Sequence, residues 1–347
     1  MVRALDFEYH LMRNGGDLGL VYPVEGSPPT VRMDDAGGIK TSFSGSFYPP
    51  EADVDWLTDE IRPEMIIDGV HHALGLFAPA TVSRSDSDGV KTVRVEAYDR
   101  CWKVRDYLTP GWRYFGPNTK YLEAVGSLLA EAGISLISAG DSTATLVNSR
   151  EWEIGTSYLD IVNELLAEIN YKSLWFDGTG TARLEPWKTI TADNIDHVLD
   201  DTNVQSMVLP ALQQTTDIYS TPNVFVVVCS NAEKSAAMVA KAENANPRSP
   251  LSIGRRGRRI VQVTNVDNIA SQAALETYAE RLMTDSLIGG ETVQVQTGLL
   301  PGFGVGDITA LRYGNELSLC RETSWSMELT VGGAMTHTLK RQVIQLD

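Results

Sequence analysis

The sequence predicts a mainly β protein with an α/β insert, and two observations carry that expectation. Strand-like alternation concentrates in residues 65–107 and again in residues 292–344, whereas between Pro110 and about Trp187 the apolar period changes from two to 3.6. In the first block Leu76, Ala78, Ala80 and Val82 alternate with other residues, residues 85–89 supply turn chemistry, and Val93, Val95 and Ala97 resume the period. In the second, Leu317, Leu319, Trp325, Met327 and Leu329 share odd parity, Gly332-Gly333 turns the chain, and Met335, Leu339 and Val343 keep it. At 347 residues the chain exceeds a comfortable single core. The expected division is a first β domain at 1–109, an α/β insert at 110–201 and a second β domain at 202–347, with a long loop at 231–259.

Residues 1–46 read as short strands and loops, punctuated by Gly15-Gly16, Pro28-Pro29 and Gly37-Gly38. A strand from Met65 to Ile67 then runs into an Asp68-Gly69 turn. In the insert, Tyr121, Leu122, Val125, Leu128, Leu129 and Ala132 share one helical face, with Asn118 or Thr119 as cap and Gly133 as stop. Tyr158, Leu159, Val162, Leu165, Leu166 and Ile169 repeat the pattern 37 residues on, capped by Thr156 or Ser157. The shared letters, Tyr-Leu-acidic-x-Val-x-x-Leu-Leu-Ala-Glu, fit an internal duplication and also fit two helices converging on similar cores. A hairpin around the turn at 177–180 closes the unit, and residues 191–202 read as a polar link. Residues 224–228 form the first clear strand of the last block, and a third helix is expected at about 270–283, its buried side Tyr278, Ala279, Leu282 and Met283.

An apolar fraction of 43% with 21% charged residues is that of a folded protein. The formal net charge of -16 argues against a protein whose work is neutralising phosphates, although an acidic wall lets DNA pass without sticking. Cys101, Cys229 and Cys320 form no CxxC, so reduced, buried thiols are expected. Asp6 and Glu8 stand where a signal peptide needs basic and then apolar residues, and no apolar run approaches the roughly 20 residues that span a bilayer. Synthesis in a cytoplasm and no membrane anchor are expected.

No spacing announces catalysis, a cofactor or a metal. His71 and His72 are adjacent and cannot point the same way from a strand; His10, His197 and His337 are isolated, and His337 shares the parity of its apolar neighbours. The run Pro301-Gly302-Phe303-Gly304-Val305-Gly306-Asp307 resembles a phosphate loop but leads into a strand at 308–311 instead of a helix. Glu51, Asp53, Asp55, Asp59 and Glu60 could supply a glycosidase pair, with nothing to select it. Arg255, Arg256, Arg258 and Arg259 form the one dense basic patch, readable as a solvated loop or as a contact for an acidic partner. Trp112, Tyr114 and Phe115 are candidates for partner contact or for a packed junction between the insert and a β domain.

Several segments together resemble phage tail hub proteins. In the first half these are Asp55-Trp56-Leu57, Ile61-Arg62-Pro63, Ile67-Asp68-Gly69, Leu74-Gly75-Leu76-Phe77 and Ala97-Tyr98-Asp99-Arg100-Cys101-Trp102-Lys103. In the second they are the stretch from Asn246 to Ser252, Tyr278-Ala279-Glu280-Arg281-Leu282, Gly306-Asp307-Ile308 and the stretch from Met335 to Arg341. The individual motifs are loose and their order carries the likeness. The resemblance implies two tail-tube-like β-barrel domains and a homotrimeric, non-enzymatic structural protein of the virion, made in the host bacterial cytoplasm. It would adapt a six-fold tail tube to three-fold tip components and line the DNA channel. The implied partners are the tail tube protein, distal tail or baseplate proteins, the tape measure protein and a tip or spike protein. Other readings of the chain are a tail-associated cell-wall hydrolase or a carbohydrate- or receptor-binding tail module.

Overall fold

The computed structural model describes residues 3–203, 206–217, 219–229, 238–266, 272–289 and 291–341. The first block contributes β1 (Leu5–Arg13), β2 (Gly16–Leu20), β3 (Thr30–Asp34), β4 (Thr41–Phe47), β5 (Glu60–Ile67), β6 (Val70–Ala73), β7 (Ala78–Ser87) and β8 (Val90–Tyr98). After helix α1 (Cys101–Asp106), the insert holds β9 (Arg113–Phe115), α2 (Tyr121–Glu131), β10 (Ile137–Ala139), β11 (Arg150–Trp152), α3 (Tyr158–Glu168), β12 (Trp175–Phe176) and β13 (Ala182–Leu184). The last block begins with β14 (His197–Asp200), β15 (Val208–Thr216), β16 (Val224–Cys229), β17 (Met238–Glu243) and the helical turn α4 (Ile253–Arg256). It ends with β18 (Val261–Val266), α5 (Gln272–Gly289), β19 (Glu291–Gly298), β20 (Ile308–Tyr313), β21 (Glu316–Glu328) and β22 (Ala334–Arg341).

The protein is mainly β, and its largest sheet draws strands from both blocks. Its order is β15-β19-β22-β21-β3-β4-β8-β7, with β20 also on β21 and β14 parallel to β20. The long strand β21 makes this possible. One of its edges pairs with β20 over its first half and with β3 over its second, where Trp325 faces Met33 and Met327 faces Val31. One apolar cluster runs beneath, from Tyr9, Phe43 and Phe77 to Val295, Trp325 and Met335. A four-stranded sheet, β2-β1-β5-β6, closes the first block. Tyr9 and Leu11 of β1 and Ile61 and Met65 of β5 enter the same core, so the even-numbered Glu8, His10 and Glu64 face outward. On the far side α5 lays Leu275 and Ala279 on β16 and β17, with Tyr278, Leu282 and Met283 partly buried there.

Several expectations shift for identifiable reasons. The odd parity of β21 fails before Ser324, because a bulge between Glu322 and Ser324 flips the faces: Leu317 is half exposed while Cys320 and Glu322 are buried. A second bulge between Pro79 and Thr81 turns Ala80 outward. The stretch 191–202 contains a sheet strand, β14, and β15 precedes the strand expected first in this block. Of the loop expected at 231–259, β17 and α4 occupy much, and residues 231–237 lie outside the described residues, as do Val343, Ile344 and the first two positions of the third helix. Neither Asn118 nor Thr119 caps α2; its N-cap is Lys120, with no side-chain bond, and the Tyr121 amide donates to the Ala144 carbonyl. Ser157 does cap α3, accepting from the Leu159 amide at 3.2 Å. The Asp68-Gly69 and Asp88-Gly89 turns form as the residue types dictate, all four residues at positive φ.

The insert resolves the question of its repeated letters. β9 pairs antiparallel with β11, and β10 and β12 both flank β13, so the unit reads as strand-helix-strand twice. The side-chain contacts are reciprocal at the same 37-residue offset. Arg113 pairs with Glu131 and Arg150 with Glu168, both at 2.8 Å. Tyr121 Oη donates to Glu168 across the unit, and Tyr158 Oη donates to Glu131, both at 2.7 Å. Arg113 also lies over the Phe115 ring and Arg150 over the Trp152 ring. Two helices that merely converged on amphipathicity share apolar positions, whereas these also exchange polar partners at matched positions, which fits an internal duplication better than convergence.

The junction between the first block and the insert rests on one of the segments singled out above. Asp99 accepts the Thr41 amide at 2.6 Å and the Cys101 amide at 2.8 Å, starting α1, while Arg100 and Lys103 converge on Glu60. Burial pushes the Asp99 carboxyl up to about 6, against the amides that favour its charged form. Because that folded value lies above the unfolded one, the folded state keeps a proton that the unfolded state releases. The contribution of Asp99 to stability is therefore full in acid and declines as pH rises from about 4 to about 6. Relative to Asp99→Asn, the wild type is expected to lose up to roughly 3 kcal/mol across that window. Urea midpoints at steps of pH check this; parallel profiles for the two proteins would contradict it.

Candidate assembly surfaces

The arginine patch lies on and just after α4, whose chain reverses at Gly257 in the left-handed region. Its members do different work. Arg256 donates to the carbonyls of Thr221 at 2.5 Å and Tyr219 at 3.0 Å, and Arg258 donates to Tyr219 at 3.0 Å and lies over its ring. Arg259 reaches Glu243 on β17 at 2.8 Å. Two of the four guanidiniums thus staple the segment before β16 to α4 and the turn after it, and a third ties that turn to β17. Arg255 is exposed and its guanidinium has no partner among the described residues.

Of the three aromatic candidates, Phe115 is half buried and meets Trp152 edge-on with ring centroids 6.0 Å apart. Trp112 and Tyr114 are 63% and 59% exposed, so the packed junction expected for them does not form. Strand alternation is the cause: Arg113 and Phe115 turn toward the helices, which sends Tyr114 to solvent.

Places where chemistry could reside are committed elsewhere. The Arg13 guanidinium, bonded twice at 2.7 Å, holds the Asp59 carboxyl below its ordinary range. Burial pushes Glu60 up, but Arg100 and Lys103 outweigh it and its carboxyl also falls. Neither is the raised acid that a glycosidase pair needs. In the glycine run, the Gly304 amide that a phosphate would use donates instead to Asp307 at 2.7 Å. Asp307 also takes His197 at 3.0 Å and lies 3.8 Å from Lys172, whose buried ammonium donates to the Val305 carbonyl at 2.6 Å. Thr297, His337 and Glu322 make a hydroxyl-imidazole-carboxylate chain of 3.1 and 2.9 Å, but all three are fully buried and no substrate can reach them. A cavity of about 620 Å³ between the insert and α5, lined by Tyr121, Glu168, Trp187, Tyr278, Arg281 and Arg321, contains neither histidine nor cysteine. Glu8, His10 and Glu64, outward-facing on β1 and β5, are the group among the described residues with metal-ligating geometry.

The sheet edges are the other surfaces of note. β7 and β15 end the large sheet at opposite sides. Each carries a proline, Pro79 or Pro210, and β7 adds Arg84 and Asp86, the devices that keep an exposed edge from pairing indiscriminately. Neither a protein-family model nor a curated protein matches the sequence. Solved structures do. A tail protein from Neisseria meningitidis MC58 superimposes with a TM-score of 0.69 at 13% identity, over 96% of each chain. The 43 kDa tail protein of prophage MuSo2 from Shewanella oneidensis gives 0.68 at 10% identity, over 97% of this chain and 99% of that one. This is the fold of phage tail proteins. A prophage tail protein, gp18, from Listeria monocytogenes EGD-e shares it at a TM-score of 0.60 and 10% identity, over 96% of this chain and 95% of the other. At such identities little of the tail-protein fold is held by particular letters, which explains why only the order of loose motifs resembled it.

The sequence missed two features of this structure. The β7 and β15 edges depend on pairings between remote strands. The Glu8, His10 and Glu64 group was visible only as two outward pairs, Glu8 with His10 and Arg62 with Glu64, each two residues apart on a strand.

Proposed function

We propose that the chain is a structural subunit of a phage tail tip or baseplate hub, acting by assembly and not by catalysis. The observation that carries this reading is the tail-protein fold, matched over nearly the whole chain, with two strand blocks bound into one sheet. Three such chains closing a ring present six strand blocks toward a six-fold tube and three-fold positions on the opposite side. The edges of β7 and β15 suit a head-to-tail contact, since each ends the sheet with unpaired backbone groups. Residues 1–109 and the last block, from β14 onward, supply the two tube-like domains, and the α/β insert interrupts them. The acidic balance suits a channel that conducts DNA without holding it. The tail tube, distal tail or baseplate, tape measure and tip or spike proteins are the partners of such a hub, and the virion tail is its place.

Arg255 is the basic group best placed to meet an acidic neighbour. Arg255→Glu is expected to weaken binding to the tail tube protein about tenfold at low salt, with little change in thermal stability. Light scattering over a range of concentrations is expected to give the mass of three chains, alone or once the tube protein is added. A persistent monomer that never binds the tube overturns the proposal. A receptor- or glycan-binding role draws on the exposed Trp112 and Tyr114; glycan binding abolished by Trp112→Ala would favour it instead.

A further inference from the structure

We propose a zinc-binding site on the outward face of the four-stranded sheet, built from Glu8, His10, Glu64 and His71. The register of three strands brings these groups together. Glu8 lies opposite Glu64 on neighbouring strands, His10 lies two residues from Glu8 on the same face, and His71 pairs with Ile66, which puts it beside Glu64. His72, paired with Met65, is on the other face. Glu8, His10 and Glu64 each offer one atom within 4.8 Å of the others.

Four of the six ligand-to-ligand spacings suit a small ion. His10 Nε2 is 3.2 Å from Glu8 Oε2 and 3.8 Å from Glu64 Oε2, and His71 Nδ1 is 2.9 Å from Glu64 Oε2 and 3.9 Å from Glu8 Oε2. Tetrahedral zinc with ligands at about 2.0–2.1 Å places them about 3.3–3.4 Å apart, in the middle of that range. Two nitrogens and two carboxylates match zinc, whereas calcium and magnesium want more ligands, all oxygen.

A second, independent observation is the set of groups that hold the ligands. Asp17 on β2 accepts from His10 Nδ1 at 2.7 Å, which directs Nε2 to the carboxylates as the ligating atom. Arg62 Nε lies 2.8 Å from Glu64 Oε1, so Oε2 is the oxygen turned toward His71 and His10. Glu8, Asp17 and Glu64 against Arg62 leave two negative charges uncompensated, the charge of one divalent ion. Zinc here would clamp β1, β5 and β6 together. The inference concerns these side chains alone and does not depend on the hub reading.

The test is titration of the full chain, dialysed against a chelator, with zinc chloride followed by calorimetry, and with cobalt(II) followed by visible absorption. One zinc per chain and the intense cobalt bands of a four-coordinate site are expected. Glu8→Gln, His10→Gln and the second-layer Asp17→Asn are each expected to weaken binding by about 10- to 100-fold or more, while His72→Gln leaves it unchanged. His71→Ala, at a half-exposed position, repeats the test should a sheet variant fail to fold. No uptake at millimolar zinc, or uptake equally tight in Glu8→Gln, His10→Gln and His71→Ala, overturns the proposal.

Discussion

Glu322→Ala is expected to destabilise the protein by about 3–5 kcal/mol, although the residue touches no surface. Burial pushes the Glu322 carboxyl up, and its hydrogen bond from His337 opposes the shift without cancelling it. Both side chains are completely inaccessible, His337 also meets Thr297, and Phe303 packs against the His337 ring at 4.7 Å. Removing the carboxylate strands an imidazole among apolar groups. The double substitution Glu322→Leu with His337→Leu takes out both polar groups, so it is expected to recover most of the loss. Chemical denaturation of the two singles and the double gives the coupling directly. Additive losses would mean that the pair is not a unit.

Phe43→Ala is expected to cost about 3–5 kcal/mol and to do so within a single unfolding transition. Phe43 is 2% exposed, stacks on Phe47 and Phe77 with centroids 6.0 and 5.6 Å away, and tilts against Tyr9 at 6.3 Å. It belongs to the same apolar cluster as Val295, Trp325 and Met335 from the other end of the chain. A cavity at Phe43 is therefore felt by both strand blocks. Calorimetry that split into two transitions, only one of them moved by the substitution, would show the blocks to be energetically separate.

What was legible in the sequence was local. The faces of α2 and α3, the Asp68-Gly69 turn, the hairpin of β12 with β13 and the strand that follows the glycine run all depend on residues close together, whose spacing or φ preference is sufficient. Whatever depended on remote partners was not legible. The union of β3 with β21 joins residues nearly three hundred positions apart, and period two says nothing about which edge meets which. The slip at Glu322 was hidden because a bulge needs only one extra residue, and the apolar letters on either side still alternate. For the surfaces, charge density pointed to the arginine patch, but the carbonyls of Tyr219 and Thr221 that occupy Arg256, and that of Tyr219 that occupies Arg258, come from a loop more than thirty residues away. The zinc group was missed for a similar reason, its ligands being drawn from three strands.

In the insert, each tyrosine answers to the glutamate of the opposite half, so neither half can satisfy its own tyrosine hydroxyl. Such an arrangement is an obligate pair written into one gene. Tethering gives the second half a fixed local supply of its mate, where separate chains would depend on abundance. It also leaves the rest of each half free to change, while a substitution at Tyr121 or Tyr158 removes a bond to the glutamate of the other half.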